Sequence, residues 1–477
     1  MTSFRINWFV CFNYHFPLNL CPEIGRKVSY IYLILKRSNS NTVNDFRPIN
    51  ITSCICRILE RILRDTIQRF LDENLLLNVS QQGFAKGRST MTALLTYSND
   101  LCNAIDQSLC VDCAYFDFSK AFDCVRHDYL VYKLSKIGIS GSFLNWIINY
   151  LQSRTQIVNI NGVFSTERNV SSGVIQGSVL GPIFFSIFIN DVDEHIVNSK
   201  ILKYADDIRI YRIFESTTAA HMANAMLFQK DIDAMAEWSN KWDLKFNLSK
   251  CCVLHFGRSN PKTKYKLGDF QVDNRCQESD LGVLFSDKFN FNDHMDSIIK
   301  KANKKLGIIA HVFRNKNAKI LIPLYKTFVR PLLEYNSVIW SPSTSTYIEK
   351  IEKIQKKMFR LMSDYRDMPY KTQLLKAKLL SLHARRIQHQ LVVMFKMKNN
   401  LIDLRFHDFF KKNKFTKTRG NRYKLMIPKS KLKLHASFFT NACVRHWNRL
   451  KSSEIEALTC DLFKKNVVEY FKRVKIW

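Results

Sequence analysis

The spacing of apolar residues divides the first 290 positions into short strands and amphipathic helices. Apolar runs predict strands at 28–35, 47–51, 110–118 and 251–257, and a hairpin around Asn161-Gly162. Apolar residues at helical spacing predict helices at 54–71, 90–105, 127–137, 142–152 and 222–242. Strands and helices that alternate in this way indicate an α+β fold.

Helix 54–71 has the clearest helical pattern. Its apolar stripe comprises Ile55, Ile58, Leu59, Ile62, Leu63, Ile67 and Leu71. We expect this stripe to face the core and the arginines to lie on the opposite face.

One predicted pair of strands carries charged residues at positions where apolar residues are expected. The stretch ILKYADDIRIYR (201–212) places Asp206 and Asp207 between two apolar runs. The ordinary interpretation is a hairpin turn, because Asp favours turns and motifs this short occur by chance. The alternative is a metal site, since Asp117 ends another apolar strand and three neighbouring carboxylates would repel each other without a cation. Mg²⁺, with Mn²⁺ as a substitute, binds such oxygen ligands, and two ions support phosphoryl transfer.

Composition narrows the choice of partner. The 477 residues carry a formal net charge of +32, which is typical of a protein that binds a polyanion such as nucleic acid. No signal peptide or membrane span is predicted, and the apolar stretch 173–190 contains Gln, Gly and Pro, so we expect a loop that enters a core helix. The 13 cysteines are scattered, and the lone Cys110-x-x-Cys113 favours buried thiols over zinc. These features predict a reducing location, in the nucleus and cytoplasm.

Beyond residue 290 the chain changes to long, Lys-rich helices. We expect helices at 296–314, 351–362 and 382–398. The run 409–435 mixes Lys and Arg with aromatic residues. Two interpretations stay open for this run, a solvated and partly disordered segment or a nucleic-acid contact.

Four motifs occur in an order that a chance match would not reproduce: FDFSKAFD (116–123), GVIQGSVLGP (173–182), YADD (204–207) and LKFNLSK (244–250). In this order they resemble the reverse transcriptases. Upstream, LILKR, DFRPINI and QQGFAKGRST resemble the fingers of those enzymes. Downstream, DLGVLFSDKFNFNDHM, LYKTFVRPLLEYNSVIWSP and ACVRHWNRL are similar to non-LTR (LINE-type, Jockey-like) retrotransposon polymerases.

The resemblance implies roles for the acidic residues and their neighbours. Asp117 and Asp206 would hold the metal ions, with Asp207 as a nearby carboxylate. Lys250 would protonate the leaving pyrophosphate. Phe122 would exclude a ribose 2′-hydroxyl, because a rigid ring leaves no room and no partner for it. Without the motif, Phe122 would be interpreted as a core residue and Lys250 as a surface lysine.

The resemblance also implies contacts to nucleotide and template. Gln176 and Gly177 would place a backbone turn and an amide against the nucleotide. Lys36 and Arg47 would bind the triphosphate, although Lys36 could equally be an exposed lysine at a strand end. Arg88 is expected to contact the template backbone rather than to serve a structural role.

The implied architecture is a right-hand polymerase with fingers, palm, helical thumb and a basic C-terminal region. The expected divisions are 1–27 (unassigned), 28–110 (fingers), 111–275 (palm with a fingers insertion), 276–375 (palm end and helical thumb) and 376–477 (basic C-terminal region). The expected partners are an RNA template, a DNA primer, dNTPs and the RNA–DNA hybrid, with no membrane. Oligomeric state is not predicted.

Some positions depart from the family pattern. Ile175 stands where a Pro is usual, LILK lacks the Pro usual before its Lys, and Cys251 replaces a Thr. No endonuclease or RNase H domain is expected, so the chain is interpreted as the polymerase part of a longer element protein or as a truncated copy. The alternative function is a domesticated, catalytically dead copy that only binds nucleic acid.

Overall fold

The computed structural model describes residues 28–35, 46–152, 154–413 and 421–476. The strands are β1 (Val28–Leu35), β2 (Phe46–Ile51), β3 (Cys110–Phe116), β4 (Arg154–Ile160), β5 (Val163–Phe164), β6 (Arg168–Val170), β7 (Lys200–Tyr204), β8 (Asp207–Phe214), β9 (Cys252–Phe256), β10 (Lys266–Leu267), β11 (Phe270–Gln271), β12 (Asp273–Arg275), β13 (Gln277–Asp280) and β14 (Val283–Ser286).

The helices of the first 290 residues are α1 (Cys54–Glu73), α2 (Thr90–Asp106), α3 (Ala121–Cys124), α4 (His127–Lys136), α5 (Gly141–Leu151), α6 (Gly181–Phe188) and α7 (Thr218–Lys241). Those that follow are α8 (Asn292–Val312), α9 (Ala318–Leu324), α10 (Ser337–Trp340), α11 (Ser345–Arg360), α12 (Ser363–Arg366), α13 (Tyr370–Lys376), α14 (Leu382–Lys398), α15 (Phe406–Phe409), α16 (Lys433–Ser437), α17 (Phe439–Trp447), α18 (Ser452–Ile455) and α19 (Cys460–Val474). Short 3₁₀ or π segments lie at Asn190–His195, Tyr325–Val329 and Arg330–Leu333.

A five-stranded central sheet has the order β12-β9-β3-β8-β7, with β3 antiparallel to both β8 and β9. Its side chains alternate between two apolar cores, as the period of a strand requires. On β3, Val111 and Cys113 enter one core, whereas Ala114 and Phe116 enter the other. The sheet is therefore buried on both faces.

Helices cover each face of the central sheet. Helices α1 and α4 to α7 bury their apolar residues in one core. Helices α2, α8, α11, α14, α17 and α19 bury theirs in the other core, which continues into the C-terminal residues. Because α2 and the last hundred residues share this core, the C-terminal region is an integral layer of the fold, and the predicted domain ranges stay a prediction.

A second sheet joins two distant parts of the chain. Its order is β2-β1-β4-β5, with β6 paired to β4, and β1 runs parallel to β4. The predicted turn at Asn161-Gly162 is confirmed, since it connects β4 to β5. This pairing attaches residues 28–35 and 46–51 to residues 154–170.

Three predictions about apolar segments have different outcomes. Residues 173–190 form a loop followed by the core helix α6, as predicted. The stripe of α1 is only half buried: Leu63 and Ile67 are in the core, but Ile55, Ile58 and Ile62 are about half exposed. The part of α1 facing the core is rotated away from these three residues and includes a buried glutamate, which an apolar pattern cannot reveal. Among the residues that the structure describes, no helix has both the length and the apolarity needed to cross a bilayer.

Candidate active site

Three of the predicted catalytic residues form a row across the end of β3. Asp117 directly follows β3, whose last pairs are Phe116 with Ile208 of β8 and Tyr115 with Cys252 of β9. Beyond these pairs, Lys250 contacts the Asp117 carboxylate, and Asp207 lines the same cleft as both residues. Residues opposite each other on antiparallel strands share a face of the sheet. The sequence order and the strand pairing therefore bring these three side chains together.

Asp206 occupies the turn of the β7–β8 hairpin. Tyr204 pairs with Asp207, so Ala205 and Asp206 form the two-residue turn. Ala205 adopts a positive φ of 54°, which a tight hairpin turn requires. The hairpin interpretation is thus confirmed, and it also carries the acidic pair to the end of β3.

The charges at this sheet end influence one another. Burial raises the pKa of Asp206, the charge of Asp117 raises it further, and Arg47 and Lys250 oppose the shift. The pKa of Asp207 is raised to about 6, first by desolvation and then by Asp206 and Asp117, although part of its surface stays exposed. The three carboxylates therefore share one neighbourhood that favours a cation.

Lys250 supplies a cation to this cluster. Its Nζ lies 2.5 Å from Oδ2 of Asp117, and the two side chains are 60% and 27% exposed. A pair this accessible contributes little to stability, because water competes for both charges. The Lys250 ammonium can therefore leave Asp117 for another partner at a low cost in free energy.

A cleft opens beside the row of charges. Asp117, Asp207 and Lys250 line one side, and Glu278 and Asp280 of β13 contribute to the other. This face is the one that the strand register assigns to the catalytic side chains. Sequence reasoning missed the contribution of β13, because that strand is short and polar.

The cleft is stabilised by a buried ion pair. Arg209 and Asp280 are 4% and 6% exposed and form a salt bridge between β8 and β13. The Arg209 guanidinium also lies 4.8 Å from the ring centroid of Tyr97. Since Arg209 is two residues after Asp207, this pair holds the catalytic strand against the far side of the cleft.

The donor chemistry of the site fits Mg²⁺. Its carboxylates are the hard oxygen ligands that this ion prefers. Within the described parts of the chain, no group of three or more His, Cys, Asp or Glu side chains is arranged to hold a metal. Mg²⁺ is commonly bound by one or two carboxylates, waters and substrate phosphates, so a closed protein cage is not required.

The loop that carries Gln176 and Gly177 packs against β2. The Asn50 N–H donates to the Gln176 carbonyl at 2.9 Å, and Gln176 Nε2 donates to Oδ1 of Asp123 at 3.1 Å. Gly177 has a φ of 101°, and a Cβ there would lie 2.6 Å from the Asn50 carbonyl oxygen. A glycine is therefore required by both conformation and space.

Phe122 lies beside this loop. Its ring stacks on Phe185 with centroids 4.5 Å apart, and its carbonyl accepts from the Val174 N–H at 2.7 Å. It is half-buried, so part of its surface remains accessible. Arg47 is exposed on β2, whereas Lys36 lies outside the described residues.

Sequence reasoning missed Glu60, a fully buried residue of α1. Its Oε2 accepts from the Val179 N–H at 2.6 Å, and its Oε1 accepts from the Tyr150 hydroxyl at 2.7 Å. Glu60 thus fixes the end of the loop that carries Gln176 and Gly177 to α1. A lone Glu among the apolar residues of a helix was the available signal.

The structure gives Arg88 contacts within the protein, and its expected template contact stays a prediction. Its Nη1 donates to the carbonyls of Val79 (3.0 Å) and Gln81 (2.6 Å), and its Nε donates to Asp403 at 2.6 Å. Only 13% of the side chain is exposed. Arg88 therefore has the structural role that the sequence interpretation ranked second.

The sequence of residues 34–313 matches the family described as reverse transcriptase (RNA-dependent DNA polymerase). The probable RNA-directed DNA polymerase from transposon BS of Drosophila melanogaster is 24% identical over 352 residues, which is 71% of this chain and 38% of that protein. The RNA-directed DNA polymerase from mobile element jockey of the same species is 24% identical over 363 residues, which is 74% of this chain and 39% of that protein.

Among solved structures, apo telomerase from Candida tropicalis superposes with a TM-score of 0.43 at 13% identity, covering 79% of this chain and 67% of that one. The chain spans less than two fifths of the length of the two Drosophila relatives. The predicted resemblance to Jockey-like retrotransposon polymerases and the predicted α+β right-hand fold are confirmed. The family match covers more than half of the chain, which therefore belongs to the reverse transcriptase family.

Proposed function

We propose that this chain is an RNA-directed DNA polymerase that extends a primer 3′-hydroxyl on an RNA template. The observation that carries the proposal is the row of Asp207, Asp117 and Lys250 at the end of the central sheet, with Asp206 in the adjoining turn. The primer oxygen forms a bond to the α-phosphorus of a dNTP, and the bond from that phosphorus to the bridging oxygen breaks to release pyrophosphate.

Asp117 and Asp206 would hold the divalent ions, with Asp207 beside them. When bound, the ions would activate the primer hydroxyl and neutralise charge on the triphosphate. Burial, and then repulsion by neighbouring carboxylates, raises the pKa values of Asp206 and Asp207, which supports this assignment because a bound cation would relieve the repulsion.

Lys250 is proposed to donate a proton to the leaving pyrophosphate oxygen. It lies in the same row as Asp117, and its side chain is 60% exposed toward the cleft mouth. Its ammonium is one of the few cations at an acidic site, so it can meet the charge that develops on the leaving group.

Nucleotide selection is proposed to depend on the loop beside β2. Phe122 would exclude the ribose 2′-hydroxyl by filling its space, held in place by Phe185. Gln176 and Gly177 would present the loop to the nucleotide, and Arg47 would contact the triphosphate. Lys36 is proposed for the same contact from outside the described residues.

The proposed partners are an RNA template, a DNA primer and the RNA–DNA hybrid they form. The net charge of +32 supports phosphate contacts, whose strength falls with salt. A nuclear and cytoplasmic location stays part of the proposal.

Primer extension tests the polymerase directly. Purified wild type should extend an oligo(dT) primer on a poly(A)-tailed RNA with Mg²⁺ and dNTPs, whereas Asp206→Asn should lose more than about 100-fold in rate. Asp206→Asn keeps the size of the side chain, so its melting temperature and hybrid affinity serve as controls. If both proteins bind the hybrid and neither extends it, the chain only binds nucleic acid and the proposal is wrong.

Phe122→Ala tests the selection of deoxynucleotides. It should raise incorporation of ribonucleotides relative to deoxynucleotides by about 10- to 100-fold. Tyr132→Ala is the control, because Tyr132 is 52% exposed on α4. If the wild type already incorporates ribonucleotides and deoxynucleotides equally, the role assigned to Phe122 is wrong.

A further inference from the structure

The C-terminal layer holds a concentration of positive charge that the polymerase site does not use. Residues 376–477 contain 25 Lys and Arg against six Asp and Glu. Much of this charge lies in one segment that crosses the surface between α14 and α17. We define the described residues 403–413 and 421–435 as the basic strap.

The basic strap is fixed to α17 by side-chain amides. Asn421 Nδ2 donates to the carbonyls of Trp447 and Leu450 at 3.1 and 2.9 Å. Asn448 accepts from the Leu425 N–H and donates to its carbonyl, both at 2.9 Å. Its described lysines are thus held on a packed scaffold, and the two interpretations of this run stay predictions.

The basic strap is attached to both ends of α2. At the start of the helix, Asp403 pairs with Arg88 at 2.6 Å, and its N–H donates to the Gly87 carbonyl at 2.9 Å. At the end of the helix, Oδ1 of Asp106 accepts from the N–H groups of residues 431–432 at 2.9 and 2.8 Å. Since α2 has 17 residues, the two anchors lie about 25 Å apart.

Apart from Arg422, which pairs with Glu456, the exposed cations of the basic strap have no acidic partners among the described residues. They are Arg405, Lys411, Lys412, Lys429, Lys431 and Lys433. Of the two acids in the basic strap, Asp403 is engaged by Arg88. Asp408 is the second acid, so the basic strap keeps a strongly positive charge.

We propose that the basic strap binds the phosphates of single-stranded RNA outside the duplex at the catalytic site. Met426, Ile427 and Leu432 lie among its lysines and are 46%, 50% and 43% exposed. A duplex keeps its bases inside, whereas a single strand can lay base faces on such apolar side chains. The combination of cations and exposed apolar surface therefore favours a single strand.

The position of the basic strap connects it to the catalytic hairpin. Arg88, its partner at the start of α2, donates to the Gln81 carbonyl. Gln81 Oε1 in turn accepts from the Ala205 N–H in the turn that holds Asp206. The start of the basic strap is therefore one loop away from the turn that holds Asp206.

This inference goes beyond the proposed polymerase activity and does not depend on it, so binding is measured without metal or dNTPs. The probes are a blunt RNA–DNA hybrid and the same hybrid with a long single-stranded RNA extension, both fluorescein-labelled. The variant is Lys429→Gln/Lys431→Gln/Lys433→Gln. The matched control is Lys230→Gln/Lys264→Gln/Lys266→Gln, which removes three exposed lysines on and beside α7, over the opposite core.

Each phosphate contact to a single strand contributes about 0.7 to the slope of log affinity against log salt. Loss of three contacts should reduce that slope by about 2, and lower the affinity for the extended probe about 100-fold at about 0.1 M salt. The blunt hybrid and the control variant should be unaffected. An unchanged affinity for the extended probe would overturn the proposal, and so would an equal loss on the blunt hybrid, since the basic strap would then bind duplex.

Discussion

Gly83 packs against the turn that holds Asp206. A Cβ at this position would lie 2.5 Å from the backbone nitrogen of Ala205 and 3.2 Å from the carbonyl carbon of Tyr204. The Gly83 loop also covers the free edge of β7, since the Gln82 N–H donates to the Lys203 carbonyl at 2.7 Å. Because the obstacle is the peptide bond between Tyr204 and Ala205, a side-chain rotation cannot relieve the clash.

The size of the effect follows from the distance. Ordinary contact begins near 3.4 Å, so Gly83→Ala must push the turn away by about 0.9 Å. A displacement of roughly 1 Å at a reacting group lowers a rate about 100-fold. Overpacking should also reduce the free energy of unfolding by about 1–3 kcal/mol. We therefore expect a large loss in kcat with little change in hybrid affinity.

Single-turnover primer extension measures this effect, with hybrid affinity and urea unfolding measured in parallel. Gly307→Ala is the matched control, because a Cβ there meets nothing within 4 Å. It lies inside α8, so Ala should stabilise the protein by about 1 kcal/mol and leave kcat unchanged. If folded Gly83→Ala extends within threefold of the wild type, the loop does not position the turn and the reasoning fails.

Two further predictions concern buried charges. Asp280→Ala should lower the free energy of unfolding by about 3–5 kcal/mol, because it leaves Arg209 buried without its partner. In urea unfolding, the double variant Arg209→Met/Asp280→Leu should recover most of that loss. Additive losses from the two substitutions would contradict a coupled pair. Burial lowers the pKa of Lys133 from 10.5 to about 8, although Asp191 lies 2.7 Å away. The unfolded chain binds the Lys133 proton more tightly than the folded protein does. The free energy of unfolding should therefore rise by on the order of 3 kcal/mol from pH 8 to 10.5, and this rise should be absent in Lys133→Met. Parallel pH profiles for the two proteins would exclude this role.

The acidic site could be predicted because local patterns reveal its parts. Asp117 ends an apolar strand, and Asp206 and Asp207 interrupt another pair of strands, so each stands out within a window of about ten residues. Their convergence required only that the strands be neighbours, and the register of β3 with β8 meets that condition. The motif order then supplied the family.

Partners that are distant in sequence explain the errors. The resemblance implied a template contact for Arg88, and no local pattern could reveal its partner Asp403, which lies 315 positions away. The Arg209–Asp280 pair was missed for the same reason, since neither residue is unusual in its own segment. Nothing in a local pattern distinguishes a buried, paired charge from an exposed one.

In the C-terminal layer, the many lysines obscure the apolar pattern of a packed core. In α19, Phe463, Val467, Tyr470 and Phe471 are buried and recur at helical spacing, so the signal for a packed helix was present among the lysines. The Thr459 side chain also caps the helix by accepting from the Leu462 N–H. Once that stripe is buried, the intervening lysines have to face solvent. The packing that was overlooked is thus the reason why the positive charge of this layer is displayed on its surface, where a polyanion can reach it.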